Sequence, residues 1–177
     1  MTTTADGAPG RGMETSSPLR IVKGAVLGTL LAANVAGAYL LGGMVLTERI
    51  DDDMDFQPPV RTEGGLASVD MTAALIEREV AQHAWVANEP GFLPGAWLPN
   101  MRNYQQGVIY GLSRFAFELA DTVGRSRGAT AVDPDLDRAA GLLRFPGDVW
   151  VFDFEKTRTP GGTSEGQYQS AARAQSR

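Results

Sequence analysis

From Gly24 to Leu46 the chain reads GAVLGTLLAANVAGAYLLGGMVL, without one charged residue. A helix rising about 1.5 Å per residue over this length crosses a hydrocarbon core of about 30 Å, which predicts one membrane-spanning helix. Beyond it the pattern turns amphipathic. Val69, Ala73, Ile76, Val80 and Ala84 recur at three- and four-residue steps, which predicts a helix over 69–85 with Ser68 as cap and Asp70 in its first turn. Tyr104, Val108, Leu112, Phe115, Leu119 and Val123 keep the same spacing and predict a second helix over 104–123, capped by Asn103 and ended by a left-handed Gly124. Asp133-Pro134 is a helix start, and Leu136, Ala139, Ala140 and Leu143 give the short helix behind it an apolar face before Pro146-Gly147 ends the unit. Val149 to Phe154 is strand-like in composition but has no pairing partner, so it is read as an extended arm or as a strand added to a neighbour's edge. Ser164 opens a last helix that lacks a closing signal, and the chain is expected to be a piece of a longer protein.

Between the two long helical patterns lies Asn88 to Met101, where three prolines and two glycines exclude both a helix and a central strand. Phe92, Leu93, Trp97 and Leu98 are large apolar groups in this stretch, which predicts an ordered loop packed on the helices through them. The alternative is an exposed apolar surface; with Asn100 these residues then form a candidate partner-binding loop. Gly107 and Gly111, four apart on the second helix, each cost about 1 kcal/mol of helix propensity relative to Ala. The expected return is close approach of another backbone.

Charge sets the orientation. Arg20 and Lys23 precede the apolar run, whereas Glu48, Asp51, Asp52, Asp53 and Asp55 follow it. Lys and Arg are retained on the cytoplasmic side, so the N-terminus is expected in the cytoplasm and the rest in the periplasm, anchored at the inner membrane. A cleaved signal peptide is the rival reading, since Ala36-Gly37-Ala38 resembles a cleavage site; the apolar run, however, outlasts an h-region of roughly 7–15 residues. Gly24, Gly28, Ala32 and Ala36 put small side chains on one face, and Asn34 adds an amide that favours a partner over acyl chains. This predicts packing against another membrane helix, from a second copy or from a different protein. The expected organisation is a disordered cytoplasmic tail over 1–20, the transmembrane helix over 21–48, an acidic spacer over 49–66 and a mostly helical exported domain over 67–177. The fold class expected is mainly α.

The chain has 177 residues, a formal net charge of -5 and no cysteine. Disulfides, thiolate metal sites and cysteine nucleophiles are thereby excluded. Acidic balance without Lys/Arg clusters argues against nucleic acid as a partner, because such binding rests on phosphate neutralisation. The Asp51–Asp55 run lacks the loop glycine and distal Glu of an EF-hand, and reads as a solvated charge run. His83 is the only histidine, so no histidine metal cluster is expected, and a Ser-His-Asp triad would rest on it alone. Glu118 with Asp121 and Asp135 with Asp137 read as solvated helix faces. No phosphate loop, dinucleotide fingerprint or nucleophile elbow occurs, and no cofactor is expected.

The segments PGFLPGAWLPNMRNYQQGVIYGLSRFAFELA (Pro90 to Ala120) and DPDLDRAAGLLRFPGDVWVFD (Asp133 to Asp153) resemble the bacterial domain of unknown function 2333 family. The W-L-x-N-M-x-N pattern from Trp97 to Asn103 carries most of the resemblance. It implies an envelope protein with one N-terminal membrane helix and no catalytic residues to carry over. Two functions from different classes follow. One is a non-catalytic, membrane-anchored interaction or assembly module of an envelope complex. The other is a hydrolase-like envelope enzyme with a site near His83 and the Pro-rich loop, which requires a pocket collecting His83, Glu89 and Asn100.

Overall fold

In a computed structural model the described residues are 18–51, 53–126, 133–153, 155 and 162–175, and they form five α-helices and no strand. The expected tail therefore lies outside the described residues up to Ser17. The chain divides into two units at Ala38 and Tyr39.

The first unit contains most of α1, Pro18–Thr47, an uninterrupted helix of 30 residues without a buried side chain. It is long and apolar enough to cross a membrane. Leu27, Leu31 and Val35 are each exposed by more than half, an arrangement that costs free energy in water and none in lipid. Gly24 and Gly28 face open space, with nothing near an added Cβ. The Asn34 amide donates to the Leu30 carbonyl at 2.8 Å, one turn back along its own helix. This bond uses one of the amide's two N–H groups.

The second unit begins with the last turns of α1 and carries the remaining helices. The segment after α1 does not hang free. Tyr104 donates from its hydroxyl to the Asp51 carbonyl, and Arg78 pairs with the Asp51 carboxylate at 3.4 Å. Further on, Asp70 accepts from the Thr62 amide at 3.0 Å and its hydroxyl at 2.8 Å. Gly64, with φ at 75°, makes the tight turn between these groups, in a conformation that a side chain would strain.

α2 runs from Ala67 to Glu77, and Leu66 rather than Ser68 holds the cap position. The helix then widens into a π-helical turn, Arg78–Gln82, and ends at His83, short of the expected Trp85. Ile76 and Val80 of the expected stripe are buried, but Ala84 lies beyond the helix and is exposed. The wide turn places Arg78, Glu79 and Val80 all inside, which a regular turn does not do for three successive residues.

α3, Pro99–Ser126, starts earlier and ends later than its pattern suggests. Pro99 stands at the first position, where its missing N–H costs nothing, and Asn103 lies within the helix. Its buried face carries Met101, Gln105, Ile109, Ala116, Ala120 and Gly124, whereas Phe115 is exposed. The expected stripe is thus displaced by one residue. Small side chains allow α3 to approach α4 closely, and Gly124 continues this face instead of ending the helix. Gly107 and Gly111 also differ from expectation, since no other group lies near either.

α4, Pro134–Leu142, matches its pattern: Asp133 accepts from the amides of Asp135 and Leu136, and Leu136, Ala139, Ala140 and Leu143 are buried. The run after it, described as far as Asp153, contains a turn at Val151–Phe152 and no strand, and Phe154 lies outside the described residues. Val149 donates to the Ser164 hydroxyl at 3.0 Å, while its carbonyl receives the Ser164 amide at 3.2 Å. These bonds take the place of a sheet ladder. α5, Ser164–Gln175, is capped by Thr163, whose hydroxyl accepts from Gly166 at 3.2 Å, because the Ser164 hydroxyl is buried and donates to Pro146 at 2.7 Å. Tyr168, Ala171 and Ala174 pack α5 onto α2 and α4. Trp85 closes the core, edge-on to Tyr168 with centroids 5.2 Å apart and its indole donating to Gly147 at 3.0 Å.

Candidate functional site

The π-helical turn and α3 together fix the entry to the Pro-rich loop. Gln105 is fully buried; its amide donates to the carbonyls of Glu79 at 3.1 Å and Ala84 at 2.9 Å, and its oxygen accepts from Val86 at 3.0 Å. Glu79 is also fully buried, with Arg78 Nε at 3.0 Å and His83 Nδ1 at 3.5 Å from its two oxygens. Burying one carboxylate among these groups is tolerable because the charge is paired. His83 thus sits beside a structural carboxylate.

From Trp85 to Asn88 the chain is buried, and Asn88 anchors its end. Glu89 follows, with its carboxyl pushed above the ordinary 4.5 by burial and by the Glu165 charge; the Gly95 and Ala96 amides and Arg102 pull it the other way. Pro94–Trp97 then form a short 3-10 turn. Gly95 occupies its inner place, where an added Cβ would collide with Val86 and the Glu89 carboxylate.

The expected packing of the loop holds for Leu98 and fails for two others. Leu98 is buried in a small cluster with Val86 and Met101, against which Met44 of α1 also packs. Phe92 is 64% and Trp97 58% exposed, Leu93 is half-buried, and Asn100 is exposed on the first turn of α3. With Gly95 filling the inner position, the two rings are left outside. Trp97 donates to the Gly91 carbonyl at 2.9 Å, and Phe92 stands edge-on to Trp150 with centroids 6.0 Å apart. Pro94 lies against Gly43 so closely that α1 has no room for a Cβ there.

A groove of about 850 Å³ runs along α3 and the connection after α4. Arg102, Tyr110, Arg114 and Phe117 line one wall, and Arg144, Phe145 and Asp148 the other, with Gly107 between. Arg144 lies over the Phe117 ring, 4.5 Å from its centroid, and Arg114 pairs with Glu118 at 2.7 Å. Arg102 Nε is buried without a hydrogen-bond partner among the described residues. The open glycine face leaves space for a ligand chain to lie along the α3 backbone. Three guanidinium groups meet Asp148 and the Glu118 that pairs with Arg114, and the positive charge left over suits an anionic ligand.

No site of this kind follows from the hydrophobic pattern. Arg102, Gln106, Tyr110 and Arg114 do recur at every fourth position, but that spacing also describes an ordinary solvated face. Neither this groove nor a second cavity beside Thr62 and Asp133 is lined by His83, Glu89 or Asn100. Among the described residues no three His, Asp or Glu side chains cluster as metal ligands. Comparison of the chain with family models, with curated proteins and with solved structures finds no match.

Proposed function

We propose that this chain is a single-pass, membrane-anchored module whose helical domain holds a partner at the outer face of the inner membrane without catalysing a reaction. The observation that carries the reading is α1, an uncharged helix over Gly24–Leu46 with no side chain buried in the protein. Arg20 and Lys23 hold its first end in the cytoplasm, and the helical domain is on the periplasmic side. The resemblance to the domain of unknown function 2333 supports the same address.

Two surfaces serve the partner. In the bilayer, the face of Gly24, Gly28, Ala32 and Ala36 admits the backbone of another helix. In the periplasm, the arginine-lined groove takes an acidic segment of the partner, and Tyr110 and Phe117 offer it apolar contact. Tyr110 is 77% exposed, which places a large ring in water unless something covers it.

Co-purification from membranes in a mild detergent, followed by mass spectrometry, tests this reading. A partner should be recovered with the native chain. Its yield should fall with Gly28→Leu plus Ala32→Leu, and separately with Arg102→Glu plus Arg144→Glu. Recovery of the native chain alone and monomeric overturns the proposal.

A further inference from the structure

We infer that the loop Gly91–Leu98 is itself a membrane-contacting element, seated in the headgroup and upper acyl region beside the outer end of α1 with Phe92 and Trp97 inserted into lipid. The inference rests on the reading of α1 as a membrane span.

Register along the helix supplies the depth. In the last turns of α1, Leu40, Gly43, Met44 and Thr47 are partly covered, whereas Leu41, Val45 and Leu46 remain exposed. The covered positions follow helical spacing, so one face of the helix is packed on the domain and the other is free. Met44 packs against the cluster that Val86, Leu98 and Met101 form, and Gly43 meets Pro94. Gly43 stands three residues before Leu46, the last apolar residue of the run. At 1.5 Å per residue, Pro94 therefore touches the helix roughly 5 Å inside its apolar end. A loop held there cannot clear the bilayer surface.

Its chemistry suits that place. No charged residue occurs from Pro90 to Asn100. Phe92 and Trp97 flank Pro94 and are the loop's two exposed rings. The Trp97 indole N–H already has the Gly91 carbonyl as partner, so the ring carries no unpaired donor into lipid. Aromatic rings are favoured at the membrane–water interface, where an apolar body and a polar edge are both accommodated. Covering the rings with lipid also removes an exposed apolar patch that water would disfavour.

The chain contains no cysteine, so single cysteines report position directly. Leu31→Cys, Phe92→Cys and Asp137→Cys, each carrying an NBD fluorophore, would be prepared in the full chain. Each would be reconstituted into phosphatidylcholine–phosphatidylglycerol vesicles containing lipids spin-labelled high on the acyl chain. Leu31 reports the span, and Asp137, exposed on α4, reports water. The expected result is blue-shifted, lipid-quenched emission at Leu31 and Phe92, and neither effect at Asp137. Quenching at Leu31 with Phe92 resembling Asp137 overturns the inference and leaves the span intact. A blue shift at Phe92 without lipid quenching also overturns it, because the ring is then covered by protein. No quenching at Leu31 removes the span and the inference together.

Discussion

Asn88 and Glu165, 77 positions apart in the chain, meet through a 2.8 Å hydrogen bond from the amide to the carboxylate. The same amide nitrogen donates to the Val149 carbonyl at 2.9 Å. One side chain at the mouth of the Pro-rich loop thereby ties α5 and the turn after α4 to it. Asn88→Ala leaves both acceptors without this donor, and loss of about 1–3 kcal/mol is expected. Asn88→Asp should cost more, since it sets two carboxylates side by side. Thermal unfolding of the full chain in detergent, followed by circular dichroism, reads both effects. A rank order with Asp milder than Ala would contradict the bond as described.

Gln105 has a comparable role on the other side of the loop. Gln105→Leu keeps its bulk but orphans the Val86 amide and the carbonyls of Glu79 and Ala84. The expected loss is roughly 3 kcal/mol, dominated by buried groups left without partners. Amide hydrogen exchange at Val86 should accelerate more than exchange in the middle of α4. Unchanged protection at Val86 would count against this network.

The raised carboxyl of Glu89 gives stability a sign with pH. The folded chain holds this proton more firmly than the unfolded chain does, where the ordinary 4.5 applies. Its stabilising contribution is therefore complete below 4.5 and is lost as pH climbs through the higher folded value. Glu89→Gln should unfold at a higher temperature than the native chain at neutral pH, with the difference shrinking on acidification. Melting curves taken at successive pH values across the acidic range check the slope.

Glycine positions separate open space from contact. Gly111→Ala should raise stability by about 1 kcal/mol, because a methyl there meets nothing and helix propensity improves. Gly95→Ala should lower it, since the new atom collides with Val86 and the Glu89 carboxylate. Melting temperatures of the two variants should move in opposite directions.

How far the chain can be read in advance depends on whether its signals are local. Asp133-Pro134 specifies the start of α4 through bonds from the amides of Asp135 and Leu136, so that helix is legible. The inner face of α3 is not, because a search for large apolar groups selects Phe115 and Leu119, whereas the helix buries Ala116 and Ala120. Close packing favours small groups, and their weak hydrophobic signal hides the contact. The run at Val149 has the composition of a strand, yet Asn88 and Ser164, both distant in sequence, take up its carbonyl. The π-helical turn is held by the Gln105 amide donating to the Glu79 and Ala84 carbonyls across the core, which no spacing within α2 records. For the groove, Arg102 and Arg144 belong to separate elements, and only folding brings their charges to one wall-to-wall space.

The absence of a methyl at Gly43 lets Pro94 stand where a side chain would otherwise be, so the last turns of α1 and the Pro-rich loop share one close contact. Any larger residue at that position would push the two apart. A glycine that reads in the sequence as one more small residue of an apolar helix is thus fixed by a neighbour fifty-one positions away.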